Sequence, residues 1–184
     1  PGAPAPQPDV GGVARPVVVA GFRRFGPAAL ASVGGYPGDV EKGLELFRSL
    51  DAAKMRADFV AAASWLKSRP DSTGKLGAVG FCFGGSIVNH LAVTMGSDLA
   101  AGVPFYGSQP KAEDAAKIKA PINAQYGELD TRITSRWPDL DAAVTAAQVP
   151  HEGHGYKGAN HALHNDTTPS HGDAAAKHPR ARPA

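Results

Sequence analysis

The single cysteine of this chain lies in a glycine-rich frame, Gly80-Phe81-Cys82-Phe83-Gly84-Gly85. The residues just before the frame, 75–79, have the character of a short strand, and residues 86–94 after it are typical of a helix. A nucleophile on a sharp strand-to-helix turn needs small neighbours, because the backbone there is crowded and the side chain must stand above the sheet. A lone thiol is more commonly a buried core residue, but the glycine frame favours a nucleophile elbow.

Composition limits the class of protein. The 184 residues suit one domain with a sizeable core, and a formal net charge of +2 with scattered cations gives no reason to expect a nucleic-acid partner. No apolar run is long enough to cross a bilayer, so we expect no membrane partner, and no signal peptide is visible. One cysteine excludes an internal disulfide, which fits a reducing compartment, and we expect a cytoplasmic protein.

The distribution of residues along the chain predicts three segments. Residues 1–16 begin with a Pro/Ala-rich run that has almost nothing to bury, which indicates a disordered or extended arm. Residues 17–177 are expected to form a single α/β domain. Residues 178–184 form a polar tail.

Strand-like and helical stretches alternate along the predicted domain. The strand-like runs are residues 101–106 and 121–126, and the clearest helical stretches are residues 39–50, 51–68 and 138–148. This alternation predicts an α/β fold with a mostly parallel sheet and helices on both faces. Residues 151–156 occupy the next strand position, although Gly153 and Gly155 make a poor strand by propensity.

Within the helical stretch at residues 51–68, Asp51 is expected to cap the helix. Its apolar residues Met55, Phe59, Ala63 and Leu66 are expected to face the core.

Three chemically suitable side chains follow predicted strands. Cys82, Asp130 and His161 each come after one, and functional loops of a parallel sheet lie at the carboxyl ends of its strands. Their order is the nucleophile–acid–histidine order of α/β-hydrolases, with sulfur in place of the hydroxyl. The histidine would keep the thiolate available, and the carboxylate would fix the imidazole tautomer.

Other acids and histidines compete for these roles. Asp130 alone would more often be a turn or cap residue, and Glu128 is a rival acid that we rank lower, because the turn should direct Asp130 inward. Among the seven histidines, His90 lies in a predicted helix, and His171 and His178 lie in the polar C-terminal region. We expect these three to be structural or solvated.

A metal site is the alternative explanation for four of the histidines. His151, His154, His161 and His164 form two H-x-x-H pairs. No carboxylate has matching spacing, and residues three apart on a strand face opposite ways. We therefore expect no metal.

Four separated motifs carry a family resemblance. They are Gly80 to Gly85, residues 103–107 (VPFYG), residues 126–130 (YGELD) and residues 156–166 (YKGANHALHND). Together they resemble the dienelactone hydrolases, or carboxymethylenebutenolidases, over residues 17 to 177. The resemblance implies an α/β-hydrolase fold, a triad of Cys82, His161 and Asp130, and hydrolysis of small enol-lactones and related esters without cofactor or metal.

The chain also departs from the family pattern. Family members carry extra strands ahead of the similar region, and one loop there supplies a second oxyanion amide and a glutamate that contacts the resting thiol. Residues 1–16 match neither. The family usually ends in a long helix, where this chain has residues 173–177 and a Pro/Arg tail. We therefore expect a sheet that lacks the family's first strands and its last helix.

The site residues beyond the triad follow from the same motifs. The Phe83 amide is the candidate oxyanion donor, and Tyr106 and Arg132 are the candidate substrate-binding residues. Arg132 is the candidate match to the arginines with which the family binds the carboxylate of its substrates.

The favoured function is a cysteine-dependent hydrolase of small lactones or esters that acts through an acyl-thioester. One alternative is a hydrolase-like scaffold that binds or senses through Cys82 with weak or no turnover, because one missing oxyanion donor commonly costs roughly a hundred- to a thousand-fold in rate. A general carboxylesterase or thioesterase is the other alternative.

Overall fold

The computed structural model describes residues 22–161 and residue 163. The predicted arm at residues 1–16 and the predicted tail at 178–184 lie outside these residues. The chain divides into two compact units, the first ending at Gly74 and the second beginning at Lys75. The boundaries of the expected single domain stay a prediction. Within the described part of the chain, no helix has both the length and the apolar character of a membrane span.

The described part of the first unit contains the α-helices α1 (Val40–Ser49) and α2 (Ala52–Ser68). Asp51 caps α2 as predicted, because its carboxylate accepts hydrogen bonds from the amides of Lys54 and Ala53 at 3.0 and 2.8 Å. The same two bonds, that of Lys54 first, hold the pKa of the exposed Asp51 carboxyl below its usual value.

The apolar side of α2 is also as predicted. Met55 and Ala63 are buried, and Phe59 and Leu66 are partly buried. Their helical spacing places all four on one side of the helix, which is core packing rather than a binding site.

The second unit is built on four parallel strands in the order β1-β2-β3-β4. The strands are β1 (Gly77–Phe81), β2 (Ala101–Phe105), β3 (Ile122–Gly127) and β4 (His151–Tyr156). The helices between them are α3 (Phe83–Met95), α4 (Ala112–Ala115), α5 (Thr131–Thr134) and α6 (Trp137–Ala146). Parallel neighbours require crossover connections, and the helices supply them. This confirms the predicted α/β fold.

The helices α3 and α6 pack on the same face of the sheet. Gly102 of β2 lies under α3, where an added Cβ would come within 3.1 Å of Val88, and Gly153 of β4 lies under Trp137 of α6. Register places Gly102 beside Ile122 and Ile122 beside His151, so these contacts are on one face. The other face holds a buried cluster, at the carboxyl ends of the strands, of Phe105, Tyr106, Tyr156, Ala159 and Leu163.

Strand β4 forms despite its two glycines, and all six of its residues pair with β3. Tertiary packing outweighs propensity here, because Gly153 leaves the space that the Trp137 ring fills. A Cβ at Gly153 would lie 2.3 Å from that ring, whereas a Cβ at Gly155 would have nothing within 4 Å.

This contrast gives a matched pair of substitutions on one strand. We expect Gly153→Ala to lower the free energy of unfolding by about 1–3 kcal/mol, because the Trp137 ring must move. We expect Gly155→Ala to leave it unchanged or to raise it by about 0.5–1 kcal/mol, because alanine loses less entropy on folding. Denaturant-induced unfolding of both variants measures the difference. Equal effects would contradict the packing described for Trp137.

Candidate active site

Cys82 lies between the end of β1 and the start of α3, with its thiol exposed. Its φ of 53° is in the left-handed region, which is strained for a residue with a side chain. The Cys82 amide continues the β1–β2 ladder by donating to Phe105 O at 3.0 Å, and its carbonyl accepts from Ser86 N at 3.2 Å. The turn is so tight that a Cβ at Gly80 would lie 2.2 Å from the Gly84 carbonyl oxygen. A Cβ at Gly85 would lie 2.5 Å from Phe105 O, whereas one at Gly84 would meet nothing within 4 Å, so Gly80 and Gly85 are the steric requirements of this turn.

Asp130 ends the turn after β3 and precedes α5. Its amide donates to Gly127 O at 3.1 Å, its backbone carbonyl accepts from Thr134 N at 2.9 Å, and the residue is only 7% exposed. The turn therefore directs the carboxylate inward, as the sequence predicts.

His161 lies on the loop after β4, and the turn after β3 holds that loop in place. Leu129 N donates to Ala159 O at 2.9 Å, and Gly158 N donates to Glu128 Oε2 at 3.0 Å. Glu128 competed with Asp130 in the sequence analysis. Its carboxylate instead holds the histidine loop, by accepting a hydrogen bond from the backbone of that loop.

The three side chains predicted to be catalytic lie together. His161 Nδ1 is 2.6 Å from Asp130 Oδ2, and His161 Nε2 is 3.1 Å from Cys82 Sγ. A proton on Nδ1 is held by the carboxylate, which leaves Nε2 facing the sulfur. This arrangement can take a proton from the thiol and stabilise the imidazolium that results.

The other predicted site residues adjoin this row in sequence or in space. Phe83 is the first residue of α3, directly after Cys82 at the positive end of the helix dipole. Tyr106, buried and with a φ of 37°, places its ring edge-on to the imidazole of His161, with centroids 4.7 Å apart. Arg132 lies exposed on α5, two residues after Asp130. The substrate-binding roles of Tyr106 and Arg132 stay predictions.

Two polar residues of α3 were missed by the sequence analysis. The Ser86 hydroxyl accepts from Ser108 N at 2.9 Å and donates to Cys82 O at 3.4 Å, and Asn89 Nδ2 donates to Ser108 O at 2.9 Å. They fasten α3 to the loop that follows Tyr106. A serine one helical turn after Cys82, and an asparagine in an apolar helix, are the signals that could have indicated them.

Two of the histidines considered for a metal site, His151 and His154, have other partners. His151 bonds to Val149 O at 2.7 Å and Asp141 at 3.1 Å, and His154 lies 3.2 Å from Glu152. Within the described residues, no group of three or more histidine, cysteine, aspartate or glutamate side chains has an arrangement that could hold a metal ion. The histidines at 164, 171 and 178 lie outside the residues that the structure describes.

Comparisons with known proteins place the chain in a family. The family model of the dienelactone hydrolase family matches residues 9–182. A candidate carboxymethylenebutenolidase of Saccharolobus solfataricus is 33% identical over 73% of this chain, and one of Synechocystis is 29% identical over 76%. The crystal structure of a candidate dienelactone hydrolase from Klebsiella pneumoniae matches with a TM-score of 0.63 and 28% identity, covering 76% of this chain and 62% of that one.

The chain spans 51% of the length of the Saccharolobus relative and 61% of that of the Synechocystis relative. The family model nevertheless extends over most of the chain and includes all three converging residues. The chain therefore belongs to the dienelactone hydrolase family.

Proposed function

We propose that this protein hydrolyses small lactones or esters with Cys82 as its nucleophile. The observation that carries the proposal is the continuous row from Cys82 Sγ through the His161 imidazole to the buried Asp130 carboxylate. Membership of a hydrolase family supports the reaction class. The substrate is a small molecule, and the proposed chemistry uses only groups of the protein and water.

The first half of the proposed reaction forms an acyl-enzyme. His161 Nε2 takes the thiol proton as Cys82 Sγ attacks the carbonyl carbon of the substrate. The charge that develops on the carbonyl oxygen is stabilised by the Phe83 amide at the start of α3. The carbon–oxygen single bond then breaks, the leaving oxygen receives the proton from the imidazolium, and a thioester remains. In a lactone, the leaving alcohol stays attached to the acyl group.

The second half releases the product. His161 removes a proton from water, the resulting hydroxide attacks the thioester carbonyl, and the sulfur leaves and recovers the proton. Asp130 accepts from Nδ1 throughout, which keeps Nε2 toward the sulfur and stabilises the cation in both halves.

Substrate selection is assigned to residues around this row. The exposed Arg132 guanidinium can pair with a carboxylate of the substrate, in keeping with the carboxylated lactones that the family resemblance implies. Tyr106 lines the site beside the imidazole.

The nucleophile is tested by two substitutions at Cys82. Cys82→Ala should lower kcat/KM for a dienelactone and for an aryl ester by about a thousandfold or more, because no other nucleophile stands on the elbow. Cys82→Ser should retain more activity than Cys82→Ala, because His161 can also activate a hydroxyl. Ser49→Ala, which removes a hydroxyl bonded only to a helix carbonyl of the first unit, is the control.

Steady-state hydrolysis over a pH series separates the hypotheses. Unchanged activity in Cys82→Ala would overturn the nucleophile assignment. An inactive parent protein would favour the binding-scaffold alternative, and a preference for aryl esters over the dienelactone would favour a general esterase.

The role of the imidazole is tested by alkylation of the single thiol, which needs no substrate. Because the thiolate is the reactive form, His161→Ala should slow reaction with iodoacetamide about tenfold at pH 7. At pH 10 the rates should converge, since an ordinary thiol ionises without help there. His154→Ala, whose imidazole pairs with the exposed Glu152, is the matched control. Equal rates for parent and His161→Ala at pH 7 would show that the imidazole does not activate Cys82.

The Ser86 hydroxyl is expected to position the site. Ser86→Ala leaves the Ser108 amide without this acceptor and loosens the loop that carries Tyr106 against His161, so kcat/KM should fall roughly tenfold. Ser86→Thr keeps the hydroxyl and should restore most of the rate. The pH dependence of Cys82 alkylation distinguishes positioning from simple destabilisation. A profile identical to the parent's, with unchanged kcat/KM, would remove Ser86 from the site.

A further inference from the structure

A cavity of about 320 Å³ lies on the face of the sheet that carries α6, between β3, β4, the end of α5 and the start of α6. Its lining includes Tyr126, Trp137, Gly155, Glu128 and Lys157. Neither Cys82 nor His161 lines it, so the cavity is separate from the proposed catalytic row. The volume lies in the range of sites for small molecules.

Gly155 forms an open floor for this cavity. A Cβ there would meet no atom within 4 Å, and the residue does not adopt a positive φ. Neither packing nor backbone conformation therefore requires glycine, although glycine weakens a strand. Glycine inside a strand can mark a place where a ligand approaches the backbone closely. Gly153 differs, because Trp137 fills the space above it.

The walls next to this floor are aromatic. Tyr126 is buried and Trp137 is half-buried, with ring centroids 5.4 Å apart and planes inclined by 54°. Burial raises the pKa of Tyr126 to about 12, so this wall is uncharged at neutral pH. Such surfaces suit a flat apolar ring.

The rim carries one charge of each sign. Alternation along β3 and β4 brings Glu128 and Lys157 to the face of Tyr126 and Gly155, at the carboxyl ends of the strands. Both side chains are exposed. Glu128 Oε2 accepts from Gly158 N, and its Oε1 can accept from a ligand. The rim therefore complements a molecule with both an anionic and a cationic group.

We infer that this cavity binds a free aromatic amino acid. Its ring lies over Gly155 beside Trp137, its carboxylate pairs with Lys157, and its ammonium group pairs with Glu128. The inference goes beyond the proposed hydrolysis and does not depend on it, because no residue of the catalytic row takes part.

The test is a titration of the full chain with L-phenylalanine, followed by tryptophan fluorescence in a Trp65→Phe background. The chain has two tryptophans, so the signal then comes from Trp137 alone. We expect a saturable change at millimolar concentration. 3-Phenylpropanoate, which lacks the ammonium group, and phenethylamine, which lacks the carboxylate, should each bind about tenfold more weakly.

Three variants locate the site. Gly155→Val adds a side chain whose Cβ meets no atom within 4 Å and should abolish the change, while an unfolding midpoint at or above the parent's shows that the fold is retained. Lys157→Met and Glu128→Gln should each weaken binding about tenfold, and glutamine keeps an acceptor for the Gly158 amide. No saturable change in the parent, or the same change in Gly155→Val and Lys157→Met as in the parent, would overturn the inference.

Discussion

The row of Cys82, His161 and Asp130 depends on the register of a parallel sheet. The three side chains come from loops after β1, β4 and β3, and they meet because parallel strands bring their carboxyl ends to one edge. The imidazole reaches Asp130 and Cys82 at 2.6 and 3.1 Å only while all three loops keep their places. If the pairing of β3 and β4 slipped by one residue, side chains that now share a face of the sheet would point to opposite faces. Asp130 would then be separated from His161.

Backbone contacts between loops maintain this register where the side chains meet. A Cβ at Gly127 would lie 2.6 Å from the carbonyl oxygen of Asn160, so only glycine lets the turn after β3 approach the histidine loop this closely. Glu128 then holds that loop from one side through Gly158, and Ser86 holds the loop after β2 to α3. The positive φ of Cys82 and of Tyr106 is a strained conformation, and strain of this kind persists where surrounding contacts fix the backbone.

The sequence predicts the features that have a local signature. The glycine frame around Cys82 indicates the elbow, and the chain order of Cys82, Asp130 and His161 indicates their convergence. The contacts from Ser86 to Ser108 and from Glu128 to Gly158 span 22 and 30 residues, and no periodic pattern marks them. The strand at Gly153 runs against local propensity, because the Trp137 ring that occupies its space comes from another element. Long-range packing thus accounts for the loop contacts that the sequence analysis missed and for the strand that propensity alone disfavours.

Side chains alternate between the two faces of the sheet along each strand, so two neighbouring strands can contribute residues to two different sites. Tyr156 of β4 joins the buried cluster that also holds Tyr106, the residue whose ring touches His161. Gly155, one residue earlier, points to the opposite face and opens the floor of the cavity. Because successive side chains point to opposite faces, a side chain added at Gly155 enters the cavity without entering the cluster that supports His161. A substitution at Gly155 can therefore alter binding in the cavity while the row of Cys82, His161 and Asp130 keeps its geometry.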